Sequence, residues 1–485
     1  MHERTDGPDG AFGVETSAWK FRLLIDGRLI ETAQSFAVIN PANEQVIAQC
    51  PRATLEHLEQ ALQAAKRAYP AWSGMPAAKR GSVLFLLADA LERNQQRIAE
   101  LLTLEQGKPI ATAQAEVGYA IIFCRYFADT RLEPEIVQDD AGLYVEIHRK
   151  PLGVVAGIVP WNFPVLQAVY KMAPALITGN TFVLKPAPTT PLTSLLLAEL
   201  LSDIVPPGVV NVLSDAGDLG PLLTAHPDVA KVTFTGSTMV GKAVMASAAP
   251  SLKRLTLELG GNDAAIVLDD VNVKEVAPKI FNGAFFNSGQ VCISIKRIYV
   301  HRSIYDEMCD ELARIAAATR LGNGLDPASE LGPLQNKKQF DETKRYVDLA
   351  HTYGTVIAGG EVVDGPGYFV RPTIVHDITE GNPLVDEETF GPVRSVLRYD
   401  TIDEAMQRAN NTAYGLGGSV WGADVAKATE VAARLECGTV WVNQHLHFGP
   451  HIPFGSIKHS GLGVEFGKDG VHEFTEVRVI SIAKQ

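Results

Sequence analysis

No two cysteines in this chain are spaced to share a metal or a bond. Cys50, Cys124, Cys292, Cys309 and Cys437 lie far apart, are odd in number, and form no C-x-x-C or Cys/His ligand spacing. That argues against a disulfide-framed secreted domain and predicts a reducing, cytoplasmic compartment. Long apolar runs are missing too. No stretch of ~18 apolar residues occurs, so no membrane span is expected. Residues 1–16 are polar and acidic without an apolar centre, so they do not read as a signal peptide. Positive charge is in deficit: 43 Lys and Arg stand against 56 Asp and Glu, a net −13. Neither a nucleic-acid surface nor attraction to an anionic membrane is expected from that balance. The histidines are scattered except for His445, His447 and His451. That loop either binds a metal or lines a pocket; the second reading is favoured, and no metal is expected.

What is present reads as an ordinary globular chain. Hydrophobic residues make up 46% and charged residues 20%, and 485 residues suffice for two or three domains. Residues 1–18 read as a flexible leader. Phe21 to Ile30 alternates about Asp26-Gly27, a hairpin signal. Helical spacing covers 54–69, 77–106 and 112–130, the second stopped by Gly107-Lys108-Pro109. Residues 143–149 alternate like an exposed strand, expected to leave the body and pair with another subunit. Apolar runs at 153–159, 181–184, 209–213 and 231–234 then alternate with helical stretches. That alternation predicts an open parallel α/β sheet, which binds ligands beyond the carboxyl ends of its strands. A second α/β pattern begins at Ala264, with strands near 297–301, 355–358, 394–398, 417–421 and 439–442. The expected fold class is α/β, two open lobes with a small β extension.

Six stretches carry chemistry-bearing residues, and each leaves a structural alternative open. Asn287-Ser288-Gly289-Gln290-Val291-Cys292-Ile293-Ser294 lies between an amphipathic helix and a strand. It predicts a tight turn that aims one thiol, a good nucleophile once ionised; a buried structural cysteine is the alternative. Pro160-Trp161-Asn162-Phe163-Pro164 sits where a buried strand meets a helix. Asn162 is either a donor to a developing oxyanion or a helix cap. Lys185-Pro186-Ala187-Pro188 ends another strand, and Lys185 is a ribose or phosphate ligand or a surface lysine. Gly236, Ser237 and Gly241 mark a glycine turn opening a helix, which attracts phosphate unless Ser237 is simply its cap. The spacing is not G-x-G-x-x-G, so a dinucleotide would be held differently from the usual arrangement. Leu257-Glu258-Leu259-Gly260-Gly261-Asn262 sets a carboxylate among leucines, where burial raises it toward a general base. Pairing with a nearby basic residue is the alternative. Glu387-Glu388-Thr389-Phe390-Gly391-Pro392 offers a carboxylate for two ribose hydroxyls and a ring for a flat face, or else an acidic loop with a buried anchor.

In this order and spacing, the six stretches resemble the aldehyde dehydrogenase superfamily, from about Phe21 to Ile482. The resemblance implies a hydrolytic enzyme that oxidises an aldehyde to the acid with NAD or NADP. It implies Cys292 as the nucleophile, through a thiohemiacetal and a thioester. Asn162 and the Cys292 N–H would form the oxyanion hole, Glu258 would activate water, and Lys171 and Glu465 would relay its proton. Pro160, Trp161, Lys185, Gly236, Ser237, Gly241, Leu259, Glu388 and Phe390 would contact the cofactor. Phe163, Gln167, Tyr170, Val291, Ile293, Phe448 and Phe454 would line the substrate tunnel. Pro453 to Gly461 matches a late family signature, with Ser456 in place of a usual glycine.

The implied domains are a cofactor domain over 19–128 and 150–258, a catalytic domain over 259–468, and oligomerisation strands at 129–149 and 469–485. A homodimer or homotetramer is implied. Many NAD-preferring members carry Glu where this chain has Pro188, so NADP is expected to be tolerated. Members acting on succinic semialdehyde often place Arg at Tyr170, so a neutral, medium-sized or aromatic aldehyde is expected. A CoA-acylating relative is the first alternative, and Glu258 speaks against it. A catalytically silent binding protein on the same fold is the second; intact Cys292, Glu258 and Asn162 speak against that.

Overall fold

The computed structural model describes residues 19–484, so the leader expected over 1–18 lies outside the described residues. Among those residues the chain builds two large sheets and a three-stranded one, besides two-stranded ribbons. The first large sheet is parallel through its centre, in the order Val210–Val212, Thr181–Lys185, Val154–Ile158, Val229–Thr235, Arg254–Glu258. The apolar runs that predict these strands are buried between helices such as Leu55–Ser73, Pro164–Ile177 and Leu192–Ser202. The hairpin forms as read: Leu23–Ile25 pairs with Arg28–Ile30, and Asp26 and Gly27 take φ of 52° and 73°.

The second large sheet runs Thr355–Ala358, Thr373–His376, Val393–Tyr399, Ile295–His301, Asp263–Val267, Gly417–Trp421, Thr439–Val442. Only its first pair is antiparallel.

Three expectations are corrected. Residues 77–106 are two helices, Ala77–Arg93 and Gln95–Gln106, because Asn94 breaks them. Its side-chain amide donates to the Ala90 carbonyl at 2.8 Å, the local bonding that makes Asn a helix terminator. The strand Leu143–Pro151 finds its partners in its own chain. It pairs along nine residues with Thr475–Ala483 and, on the other side, with Glu135–Asp139. A partner on the same chain is always at high local concentration. The open edges are therefore those two outer strands. Finally, Gly461–Leu462, read as part of the second lobe, pairs antiparallel with Arg254–Glu258 and closes the first sheet.

Register explains how one rim gathers the distant motifs. Ile158 pairs with Lys185, Phe234 with Ile158, and Thr235 with Glu258. The turns that follow these strand ends carry Pro160, Trp161, Asn162, Gly236, Ser237 and Leu259, at the place where open α/β sheets bind ligands.

Candidate active site

The cysteine loop is held in a conformation its residues do not favour. After the helix Val273–Phe285, Asn287, Ser288 and Gly289 take φ of 52°, 56° and 73° in succession. Left-handed backbone costs a non-glycine residue ~1–2 kcal/mol. At Gly289 a Cβ would also overlap the Gly391 carbonyl oxygen. The surroundings hold this turn from every side. Asn287 Nδ2 donates to Asn162 O at 3.3 Å, Ser288 Oγ to Gly332 O at 2.7 Å, and Gln335 N to Gln290 Oε1 at 2.9 Å. Such over-determined strain belongs to sites that must aim a side chain.

Beyond the turn sits Cys292, half-buried, with Val291 and Ile293 buried on either side. Burial pushes its thiol up to about 12, and the buried ammonium of Lys296 is the main influence in the other direction. Lys296 Nζ donates to the Val291 carbonyl at 3.0 Å and to the Cys292 carbonyl, and lies 3.7 Å from Glu388 Oε1. Ile293 O accepts from His445 Nε2 at 2.6 Å, and burial holds that imidazole down to about 3, so it stays neutral. His445 is thus a tether for the cysteine loop. Among the described residues no group of three or more His, Cys, Asp or Glu side chains is gathered to hold a metal ion.

Asn162 is free of the capping role. The helix Pro164–Ile177 has no side-chain cap from its N-cap residue, Phe163. The buried carboxylate of Glu116 serves instead, accepting from Val165 N at 3.0 Å and Leu166 N at 3.2 Å. Asn162 donates one amide hydrogen to Gln290 O at 3.0 Å, and its carbonyl accepts from Gln167 Nε2 at 3.2 Å. A side-chain amide has two hydrogens, so one remains to be donated. Lys108 Nζ donates to the Asn162 backbone carbonyl at 2.8 Å and pairs with Glu116, fixing the segment from below.

Glu258 is buried, and neither carboxyl oxygen has a protein hydrogen-bond partner among the described residues. Burial and the nearby Glu465 raise it well above the usual carboxylate range, against the pull of Lys171. The alternative of a carboxylate paired directly with a base is therefore not what the structure holds. Lys171 and Glu465 pair with each other.

The proposed cofactor contacts lie along the same rim. Trp161 stands edge-on to Phe390, ring centroids 5.4 Å apart. Glu388 Oε1 accepts from Gly261 N at 3.0 Å. Gly236 N donates to Glu258 O at 3.0 Å. Ser237 does cap the helix Thr238–Ala248, accepting from Val240 N at 3.4 Å. That leaves the backbone end of the helix as the phosphate-attracting feature. Gly241 faces Leu259 so closely that a Cβ would overlap its side chain. Lys185 is no surface lysine: it is buried and 2.7 Å from Asp215 Oδ1. A rim with a helix N-terminus, a buried ammonium, a carboxylate and two rings fits a nicotinamide dinucleotide.

Comparison with known proteins decides the family. The model of the aldehyde dehydrogenase family matches residues 29–480. This chain belongs to that family. It is 39% identical over 473 residues to a mitochondrial aldehyde dehydrogenase of Leishmania tarentolae, spanning 96% of this chain and 95% of that one. It is 37% identical to human aldehyde dehydrogenase 1A1, over 93% of this chain and 92% of that one. Aldehyde dehydrogenase from Bacillus cereus, solved as an NAD+ complex, superposes with a TM-score of 0.94 at 36% identity, covering 96% and 97% of the two chains. The chain is an NAD(P)-dependent aldehyde dehydrogenase, an oxidoreductase acting on a small aldehyde.

Sequence reading missed several residues that organise this family site. Arg394 is fully buried and donates to the carbonyls of Ala284, Gly289, Thr389, Gly391 and Val393 and to Ser294 Oγ. Burial pulls it down to about 9. It ties the Cys292 turn to the loop carrying Glu388 and Phe390. Among the tunnel candidates, Tyr170, Phe448 and Phe454 meet through Phe466, with centroids 4.9, 6.2 and 5.9 Å away. Phe123 and Tyr119 extend the group. Phe163 lies apart from it, stacked on Phe286 at 6.2 Å.

Proposed function

We propose that the enzyme is of the hydrolytic type and works through Cys292, Asn162 and Glu258. The observation that carries this reading is a strained, tethered cysteine turn bonded to Asn162, which has an amide hydrogen to spare, with the unpaired buried carboxyl of Glu258 near enough to act on the Cys292 thiol. The Cys292 sulfur adds to the aldehyde carbonyl, and Lys296 behind the loop favours its thiolate. The oxygen turned negative by this addition is held by Asn162 Nδ2 and the Cys292 N–H, a kind of contact worth ~3–4 kcal/mol of barrier. The nicotinamide, when bound, accepts the hydride. Glu258 then takes a proton from the water that opens the thioester. Lys171 and Glu465 carry that proton away. Lys185, Gly236, Ser237, Gly241, Leu259, Pro160 and Trp161 hold the dinucleotide, with Glu388 and Phe390 at the nicotinamide ribose. The domains keep the bounds read from the sequence, except that Gly461–Leu462 joins the cofactor lobe's sheet.

The substrate we propose is a neutral, medium-sized or aromatic aldehyde. Four of the seven residues expected to line the tunnel carry rings, and the ammonium groups beside Phe163 and Tyr170 are already engaged. Lys108 lies over Phe163 and pairs with Glu116; Lys171 lies beside Tyr170 and pairs with Glu465. A carboxylate at the far end of the aldehyde would be buried without a partner, at a cost of several kcal/mol. Benzaldehyde or hexanal is therefore expected to exceed succinic semialdehyde by at least about 100-fold in kcat/KM, since each 1.4 kcal/mol is tenfold. A panel of aldehydes on the purified protein checks this, and succinic semialdehyde as the best substrate would refute it.

The same panel, run with both cofactors, tests the tolerance of NADP. No carboxylate stands at Pro188, and Asp215 and Asp218 are engaged by Lys185 and Arg52. With those two charges balanced, a 2′-phosphate meets less repulsion from them. The preference for NAD is expected to stay below about 1000-fold, ~4 kcal/mol; a larger one would refute the reading.

A homo-oligomer is also proposed. The outer edge of Thr475–Ala483 is open and exposes Val477, Val479 and Ile482, an arrangement that invites pairing. Among the described residues no helix is long and apolar enough to cross a membrane. Five free cysteines support a cytoplasmic location.

A further inference from the structure

The face of the first sheet that carries Glu258 holds more polar groups than the reaction needs. Val229–Thr235 and Arg254–Glu258 run parallel, with Thr233 opposite Thr256 and Thr235 opposite Glu258. Alternate residues of a strand share a face, so Lys231, Thr233, Thr235, Thr256 and Glu258 line one surface. Lys171 reaches it from the helix Pro164–Ile177, and Glu465 and Glu473 reach it from the end of the chain.

The contacts form two linked groups. In the inner one, Lys171 pairs with Glu465, and Thr233 Oγ1 lies 3.2 Å from Lys171 Nζ and 3.5 Å from Glu465 Oε1. In the outer one, Lys231 Nζ donates to Thr256 Oγ1 at 2.6 Å, and Glu473 Oε2 lies 3.6 Å from Lys231 Nζ and 3.5 Å from Thr256 Oγ1. Thr233 and Thr256 stand opposite each other in the strand register, and Lys171 and Glu465 are near enough to act on the Lys231 ammonium, so the two groups are neighbours. Every member is buried except Glu473, whose side chain is 31% exposed. At the inner end, both Glu258 oxygens, Thr235 Oγ1 and Glu465 Oε2 lack protein partners among the described residues. Buried polar groups in that condition bind ordered water.

Two lysines face three carboxyls here. Lys171 is taken up by Glu465 and Lys231 lies beside Glu473, so Glu258 is the carboxyl with no ammonium on it, and a proton it takes up has to be passed on. Buried ions are replaceable by well-packed apolar side chains without loss of stability. A ladder of them from the catalytic carboxyl to the surface calls for another purpose.

We propose that Thr233, Thr256, Lys231 and Glu473 extend the path from Glu258 and form the exit by which its proton reaches solvent. This rests on Glu258 being the base in thioester hydrolysis. There Glu258 takes one proton of the water as the C–O bond forms and the C–S bond breaks. The sulfur leaves as thiolate, and the acid departs with the other proton. Glu258 passes its proton to the Lys171–Glu465 pair. Each later carrier releases one proton as it receives one, and Glu473 hands the last to water. Only Glu258 changes state, returning to carboxylate.

The test is Glu473→Gln, with Lys231→Met beside it and Glu258→Gln as the reference, followed by rapid mixing with NADH absorbance and a pH-indicator dye. Glu473→Gln is close in shape at a half-exposed site, so it keeps the fold even if Lys231→Met does not. Expected for Glu473→Gln is an unchanged NADH burst, kcat lower by at least about tenfold, and dye-detected proton release that lags. Imidazole should restore turnover in a concentration-dependent way, which a merely structural role would not allow. Turnover at the parent rate, or a fall that imidazole does not restore, overturns the ladder. If Glu258→Gln itself turns over normally, the reading of Glu258 fails; if it stalls while Glu473→Gln does not, only the ladder fails.

Discussion

Cys292→Ala is expected to lower kcat for aldehyde oxidation by about 10⁵–10⁶-fold, in line with removal of a nucleophile in other covalent enzymes. At 1.36 kcal/mol per factor of ten, that is ~7–8 kcal/mol of barrier. The loss would not come from unfolding. The turn is held by Arg394, His445, Lys296, Ser288 and Gln335, and these bonds run to backbone carbonyls or to other side chains. The variant should therefore melt within a few degrees of the parent, as expected for a change of less than about 1 kcal/mol in a large domain. Steady-state NADH production together with a thermal melt checks both halves. Activity within tenfold of the parent would show that the sulfur is not the attacking group.

Glu258→Gln should separate the two halves of the reaction. The amide matches the carboxyl in shape but takes no proton from water. The first turnover should still release about one NADH per subunit, because the thiol and the Asn162 amide are intact. Steady-state turnover should then fall by about 10²–10⁴-fold, the usual worth of a general base. Stability should not fall, since an unpaired buried carboxyl is itself a cost. A stopped-flow burst followed by a slow phase checks this; loss of the burst with the slow phase would place Glu258 before hydride transfer.

The parts of this fold that were legible in the sequence are those set by local pattern. Continuous apolar runs gave the buried parallel strands, and Asp26-Gly27 gave a hairpin with both turn residues left-handed. The motif around Cys292 announced a tight turn, and the turn is there. What stayed hidden depends on partners remote in the chain. Arg394 bonds to carbonyls at 284 and 289, His445 to 293, Lys108 to 162, and nothing in the neighbourhood of any of them signals this. Glu116 displaces Asn162 from helix capping only because a separate helix brings it there. Gly461–Leu462 is too short to show a period, yet it pairs with the strand that carries Glu258. Leu143–Pro151 was legible as an exposed strand, but its partner was not, because alternation does not say which chain supplies the other strand.

The central claim is that the substrate becomes covalently attached to one sulfur. It is tested most directly by quenching Glu258→Gln with aldehyde and NAD+ during the slow phase and measuring the mass of its peptides. The account predicts the acyl mass on the peptide containing Cys292, in amount close to one per subunit. An acyl group on any other residue, or no adduct while NADH has been released, would contradict it.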